Sequence, residues 1–280
     1  MNGRVLVVAG SDSGGGAGIQ ADLKTVMALG GYATTAITAL TAQNTLGVNG
    51  VYPVPPAFVQ QQMRVVLGDI GADAVKTGML GDAALIAAVA EVLRSVQVPV
   101  VIDPVMVAKG GARLLDPDAI GALRDLLPLA AVLTPNVPEA EALTGLTITD
   151  EASVLAVIAA VLAMGPAAVL LKGGHLPGSV VHDWLGTIEG VQRLDRPRID
   201  TRHTHGTGCT TASAVAVGLA QGMALPDAVM RARAYVQAAI AAAPGLGKGH
   251  GPLGHGVLPG VATGEWITVS MSARIGLNGL

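Results

Sequence analysis

Short β-branched runs and longer alanine- and leucine-rich stretches take turns along this chain, and that alternation limits its fold more than any other property. The expected strands are Val5–Ala9, Thr34–Thr38, Ala74–Lys76, Val98–Asp103, Ala131–Thr134 and Ala168–Lys172. Helical patterns lie at Ile19–Leu29, Ala57–Leu67, Ala83–Ser95, Pro117–Leu127, Pro138–Leu143, Glu151–Met164, Cys209–Gln221 and Leu225–Ala242. Near-continuous apolar strands spaced by helices predict an α/β fold: a central, mostly parallel sheet with helices on both faces. Gly47 to Pro55 is Val-rich and alternating, as a small flap strand would be, and Val180 to Leu194 reads as a hairpin turned near Glu189-Gly190. No fixed-period repeat or linker divides the chain. Residues 1–260 are expected to form one domain and 261–280 a tail without an assigned role, polar enough to be disordered, although Trp266-Ile267-Thr268-Val269 can pair as an edge strand.

Composition narrows the function. Hydrophobic residues make up 51% of the 280, yet there is one Phe, so the core must be packed from small aliphatic side chains. Charged residues are 13% and the formal net charge is −3, without the concentrated basic surface that nucleic-acid binding needs. A single cysteine excludes an intrachain disulfide and fits a reducing compartment, so the cytoplasm is the expected location. The apolar run Val5–Ala9 is too short for a signal-peptide core. Gly165-Pro166 interrupts Leu155–Leu171 before it reaches the ~20 residues of a membrane span.

In open α/β sheets, ligands bind beyond the carboxyl ends of the strands. Here those ends carry the polar and glycine residues: Gly10-Ser11-Asp12-Ser13-Gly14-Gly15-Gly16, Lys76-Thr77-Gly78-Met79, Asp103-Pro104-Val105-Met106, Thr134-Pro135-Asn136 and Lys172-Gly173-Gly174-His175. The richest segment is His205-Gly206-Thr207-Gly208-Cys209-Thr210, which opens an apolar helix. Two glycines allow a tight turn, and a helix N-terminus offers free N–H groups and a positive dipole end, which together suit a phosphoryl group. Cys209 stands at the mouth of this cradle. It is either a small buried hydrophobe or, with its pKa lowered by the helix terminus, a base or nucleophile; the glycines beside it favour the second reading.

The other motifs keep two readings each. Gly10–Gly18 lacks the GK[ST] of a Walker A loop and the acidic residue of a dinucleotide fingerprint. Asp22, one turn into the next helix, either complements the dipole or faces the pocket and binds an amine or hydroxyl. Asn136 and Glu139 share a helix face and either form a capping box or hold Mg²⁺ through water. Asp103 is ambiguous in the same way. The histidines show no zinc-type spacing.

Taken in order, these motifs resemble the hydroxymethylpyrimidine/phosphomethylpyrimidine kinases of thiamine biosynthesis, members of the ribokinase-like superfamily. The likeness rests on Gly10–Asp12 with Ile19–Thr25, Thr41–Thr45, Lys76–Leu80, Asp103–Met106, Thr134–Glu139, Lys172–His175 and His205–Thr210, and spans roughly residues 5 to 255. It implies a ribokinase-like sheet and ATP-dependent phosphorylation, with Mg²⁺, of 4-amino-5-hydroxymethyl-2-methylpyrimidine and of its monophosphate. By resemblance, Gln43 and Asp22 hold the aminopyrimidine, with Gly10, Met79 and Val105 as pocket wall. Gly206, Thr207 and Gly208 form the anion hole and Cys209 stands at the base position. Lys172, Asn136, Thr207 and Lys248 contact the nucleotide, and Glu139 with Asp103 organises the metal. A homodimer is expected. The rival readings are a pyridoxal or pyridoxine kinase of the same superfamily, a thiol hydrolase using Cys209 with His205 or His175, and a non-catalytic nucleotide sensor.

Overall fold

The computed structural model describes residues 2–107, 111, 114–257 and 268–269. Ten strands form a sheet in the order β10-β9-β8-β7-β6-β5-β4-β1-β2-β3. They are β1 Arg4–Asp12, β2 Tyr32–Asn44, β3 Gly47–Pro53, β4 Ala74–Thr77, β5 Val100–Ile102, β6 Val132–Leu133, β7 Ala168–Leu171, β8 Val180–Thr187, β9 Gly190–Pro197 and β10 Thr268–Val269. The helices are α1 Gly18–Ala28, α2 Pro56–Asp69, α3 Ala83–Leu93, α4 Ile120–Leu126, α5 Val137–Thr144, α6 Glu151–Leu162, α7 Thr207–Ala220 and α8 Leu225–Ala241. Strands β2, β1, β4, β5, β6 and β7 run parallel, and antiparallel partners extend the sheet at both ends.

The expected α/β architecture is therefore present. The Gly47–Pro55 segment pairs with β2 as a flap, and the 180–194 segment forms the β8–β9 hairpin. The tail contributes Thr268–Val269 as an edge strand on β9; Trp266, Ile267 and most of 261–280 lie outside the described residues. Two strands run longer than their apolar cores. Gly10-Ser11-Asp12, read as loop, stays in β1 because Ser11 and Asp12 pair with Leu40 and Thr41 of β2.

Side chains alternate across the pleat and feed two separate cores. Leu6 and Val8 of β1 pack with Val59, Leu85, Val89, Leu126, Leu143 and Ile158, from α2 to α6. Val5, Val7 and Ala9 face the other way, toward Ile19 and Val26 of α1, Ala212–Val217 of α7 and Val229 and Ala232 of α8. Each buried aliphatic side chain stabilises the fold by about 1.5–3 kcal/mol before ordering costs. Helix α7 is buried on all sides from Thr210 to Gly218, which its small residues permit; a Cβ on Gly218 would press into Ala228 of α8. No helix among the described residues is long and apolar enough to cross a membrane.

The strand order reverses beside β1, which has β2 on one side and β4 on the other. Such a reversal leaves a crevice beyond the carboxyl ends, where the following helices diverge.

Candidate active site

A cavity of about 990 Å³ occupies that crevice. The anion cradle forms its floor. Gly206, at φ 85, caps α7, and a Cβ there would run into the carbonyl of Gly16, so only glycine fits. Helix α7 starts at Thr207, two residues before the expected Cys209, which places Cys209 in its first turn. Gly206, Thr207, Gly208 and Cys209 all line the cavity. First-turn N–H groups have no intrahelical acceptor, so this floor can receive an anion.

The Cys209 thiol corrects one expectation. The helix terminus was expected to lower its pKa. Instead burial pushes it up to about 11; Lys76 and an N–H from Gly18 pull it down, while Asp22 and Asp103 push it further up. Desolvation and two nearby carboxylates outweigh the dipole. A thiol held this high is poorly suited to nucleophilic hydrolysis, and His205 spends its Nε2–H on Asp12 Oδ2 (2.9 Å), with Gln43 Nε2 3.1 Å away.

Beside the cradle, Lys172 Nζ bonds Asp103 Oδ1 at 2.8 Å, and Thr134 Oγ1 donates to the same oxygen at 3.0 Å. Burial works to lower the Lys172 pKa, but Asp103, Glu139 and Cys209 outweigh it and raise it, so the ammonium stays charged. Both readings of Asn136 and Glu139 bear on one geometry. They form a complete capping box on α5: Asn136 Oδ1 accepts from Glu139 N at 2.9 Å, and Glu139 Oε2 accepts from Asn136 N at 2.8 Å. Both also line the cavity. Burial raises the Glu139 carboxyl to about 7, with Asp103 adding to the rise and Lys172 opposing it.

The cavity lining also holds other expected residues. Gly10, Gln43, Met79 and Val105 line the cavity, and Met79 closes over Gly10 so that a Cβ there would strike it. Gln43 extends from β2 at the flap.

Two expected site residues are placed elsewhere. Asp22 is fully buried behind the wall. Its carboxylate takes both oxygens to Lys76 Nζ, at 2.9 and 3.0 Å, and accepts from Ser213 Oγ at 2.6 Å. A substrate amine would have to displace Lys76, so Asp22 is not part of the cavity surface; the helical position was read correctly but not the partner from β4. Lys248 is exposed and outside the cavity lining, and its contact is a backbone carbonyl 3.5 Å from Arg202 Nη1.

Sequence reasoning passed over Asp12 and the cluster Asp183, Arg196 and Arg233. Asp12 Oδ2 binds His205 Nε2 and the N–H of Gly16 (3.0 Å) and Ala17 (2.8 Å), while Oδ1 accepts from Gly14 N at 2.8 Å. Burial works to raise its carboxyl, but His205 and these N–H groups outweigh it and hold it below the usual range. A lone Asp in a glycine loop signals such multiple capping; its histidine partner has no local signal.

The phosphomethylpyrimidine kinase family model matches residues 12–254. The hydroxymethylpyrimidine/phosphomethylpyrimidine kinase of Streptomyces coelicolor is 53% identical, over 90% of this chain and 94% of its own. The thiamine biosynthesis bifunctional protein ThiED of Geobacter sulfurreducens is 54% identical; the match covers 90% of this chain and 52% of that longer protein. Among solved structures, the Staphylococcus aureus pyridoxal kinase in complex with ADP superposes with a TM-score of 0.85 at 35% identity, covering 91% of this chain and 94% of that one. The Clostridium difficile phosphomethylpyrimidine kinase superposes at 0.74 with 40% identity, covering 84% and 97%. This chain belongs to the phosphomethylpyrimidine kinase family.

Proposed function

We propose that this cavity transfers the γ-phosphoryl group of ATP to the hydroxymethyl oxygen of 4-amino-5-hydroxymethyl-2-methylpyrimidine, and a second phosphoryl group to the resulting monophosphate. The chain is a kinase of thiamine biosynthesis. The observation that carries the residue roles is that one cavity is lined at once by the Gly206–Cys209 cradle, by the charged Lys172, Asp103 and Glu139, and by the mixed polar and apolar Gln43, Met79 and Val105. The charged set takes the phosphates and the mixed set takes the ring.

Phosphoryl transfer depends on positioning and charge neutralisation more than on covalent chemistry. Lys172 and the first-turn N–H groups of α7 hold the phosphoryl group as charge shifts across it, with Asn136 and Thr207 at the nucleotide. Cys209 collects the hydroxyl proton, and because a loose transition state releases that proton late, a weakly populated thiolate suffices. Gln43 offers both a donor and an acceptor to the ring. Asp103 and Glu139 fit Mg²⁺ as a pair of hard oxygen donors. No group of three or more His, Cys, Asp or Glu side chains among the described residues could hold a metal ion alone. That suits an ion that keeps waters and phosphate oxygens as its other ligands. When bound, Mg²⁺ supplies neutralisation of phosphate charge.

The enzyme works in the cytoplasm, which its single cysteine supports, and as a homodimer, supported by the exposed Leu40, Leu46, Val51 and Tyr52 on the β2–β3 hairpin, at one edge of the sheet. Residues 1–260 act as one catalytic domain. The pyridoxal kinase reading is weaker, since the Staphylococcus aureus enzyme is 35% identical against 53% for the Streptomyces coelicolor kinase. The test is ATP consumption against the aminopyrimidine alcohol, its monophosphate, pyridoxal, pyridoxine and ribose. Highest kcat/KM with the first two is expected; preference for pyridoxal or ribose overturns the reading.

A further inference from the structure

The wide cavity reaches past the cradle into a crevice between the β8–β9 hairpin and α8. Its walls come from facing positions: Val181 and Asp183 on β8, Arg196 opposite Val181 on β9, and Arg233 and Gln237 on α8. Three guanidinium groups gather here: those of Arg196 and Arg233 stand beside one carboxylate, Asp183, and that of Arg198 is near enough to Arg196 to act on its charge.

Two of the three are committed. Arg233 gives Nε to Asp183 Oδ2 at 3.0 Å and Nη2 to the carbonyl of Leu194 at 2.7 Å. Arg198 donates to the carbonyls of Gly178 at 2.7 Å and Gly174 at 3.0 Å, and to that of Leu176. Asp183 also accepts from Gly173 N at 2.9 Å, which ties the cluster to the residue after Lys172.

Arg196 differs. Its side chain is 10% exposed, and its Nε stands 3.9 Å from Asp183 Oδ2, too far for a hydrogen bond. Nε and Nη1 are both buried without a hydrogen-bond partner. Burial, with Arg233 and Arg198 nearby, lowers its pKa against the opposing pull of Asp183. A buried guanidinium with unspent donors costs the fold stability, and native structures seldom leave such donors unpaired.

We propose that Arg196 is a nucleotide-binding residue, whose free N–H groups donate to acceptor atoms of ATP on the side away from the transferred phosphoryl group. This rests on the ATP-dependent reading above and names a contact that reading did not contain. The same cavity is lined by Lys172, Gly174 and Arg196, so a nucleotide with its terminal phosphate on the cradle can extend toward Arg196. Those acceptor atoms belong either to the inner phosphates or to the nucleoside, and both are acceptor-rich.

Calorimetric titration of the full chain with ADP, inorganic tripolyphosphate, adenosine and the aminopyrimidine alcohol tests the contact. Losing hydrogen bonds to a charged group should weaken ADP about tenfold to a hundredfold in Arg196→Met. The alcohol should bind as in wild type. An equal loss for tripolyphosphate places the contact on the phosphates, and a loss shared only with adenosine places it on the nucleoside; either supports the proposal. Undiminished ADP binding in a folded Arg196→Met protein overturns it. Should that variant fail to fold, Arg196→Lys keeps the charge and removes the fork, and an unchanged ADP affinity there overturns the proposal as well. Wild-type protein that binds no ADP at all would instead sink the ATP-dependent reading.

Discussion

Asp12 and His205, 193 positions apart in the chain, are joined by a 2.9 Å hydrogen bond between Oδ2 and Nε2. The bond fastens the carboxyl end of β1 to the turn before α7, so the segments that meet at the cradle are fixed to each other as well as to the sheet. Because Asp12 also accepts from Gly14, Gly16 and Ala17, Asp12→Ala orphans several donors at once. The expected cost is about 1–3 kcal/mol per donor that water does not reach. Denaturant unfolding should show that loss, and Asp12→Asn, which keeps an acceptor, should recover part of it.

Cys209→Ala should fold and bind ATP but lose about 10²- to 10⁴-fold in turnover. With the thiol near 11, the wild-type rate should climb with pH from neutrality toward that value. A pH–rate profile and single-turnover assays check both. Turnover within a few-fold of wild type in the alanine variant would make Cys209 a packing residue.

Glu139 and its pKa of about 7 predict an acid limb. If the ionised form serves Mg²⁺, activity falls as pH drops through 7. Stability moves the other way: the fold favours the protonated acid, so that contribution is full below about 4.5 and is lost as pH rises through 7. Glu139→Gln keeps an acceptor for the capping box and cannot ionise, so it should melt no lower than wild type, lose the acid limb, turn over more slowly and need more Mg²⁺ for half-maximal rate. An unchanged Mg²⁺ titration in the folded variant leaves the carboxylate only its cap.

Gln43→Leu should weaken the aminopyrimidine by about 1–3 kcal/mol while sparing ATP. Isothermal titration with each ligand separates the outcomes, since equal losses would assign Gln43 to holding His205, which lies 3.1 Å from its Nε2.

His255 predicts acid sensitivity of the fold. Its Nε2 meets the Thr210 hydroxyl at 2.9 Å, and burial, aided by Lys24, lowers its pKa from 6.5 to about 4. Above 6.5 the ring is neutral in both states. As pH falls from 6.5 to 4 the unfolded chain takes a proton that the fold refuses, and stability drops. Thermal melts across that window should show a shallower fall in His255→Gln than in wild type.

The fold was legible where neighbouring residues decide it. Apolar runs and caps placed β4, β7, α6 and the hairpin, and Asn136 with Glu139 announced their capping box within four residues. Pairing decided what pattern could not: Ser11 and Asp12 remain strand only because β2 continues beside them. The site was legible as a set of strand ends, since the parallel topology must gather those at one edge. What escaped depends on partners distant in sequence. Asp22 looks like a pocket acid until Lys76 from another strand occupies it. Cys209 looks activated until burial and the carboxylates around it are counted. Arg196 carries no local signal, because its meaning lies in the commitments of Arg198 and Arg233.

The burial of α7 on every side has a consequence for how this family can diversify. The helix that opens at the Gly206–Cys209 cradle leaves no room for a larger side chain along Thr210–Gly218, and its contact with Ala228 leaves none for sliding. Changes of ring preference must then accumulate in segments with slack, such as the exposed β2–β3 edge that carries Gln43. A library randomised there should yield new acceptors while the phosphate-handling half of the molecule is inherited intact.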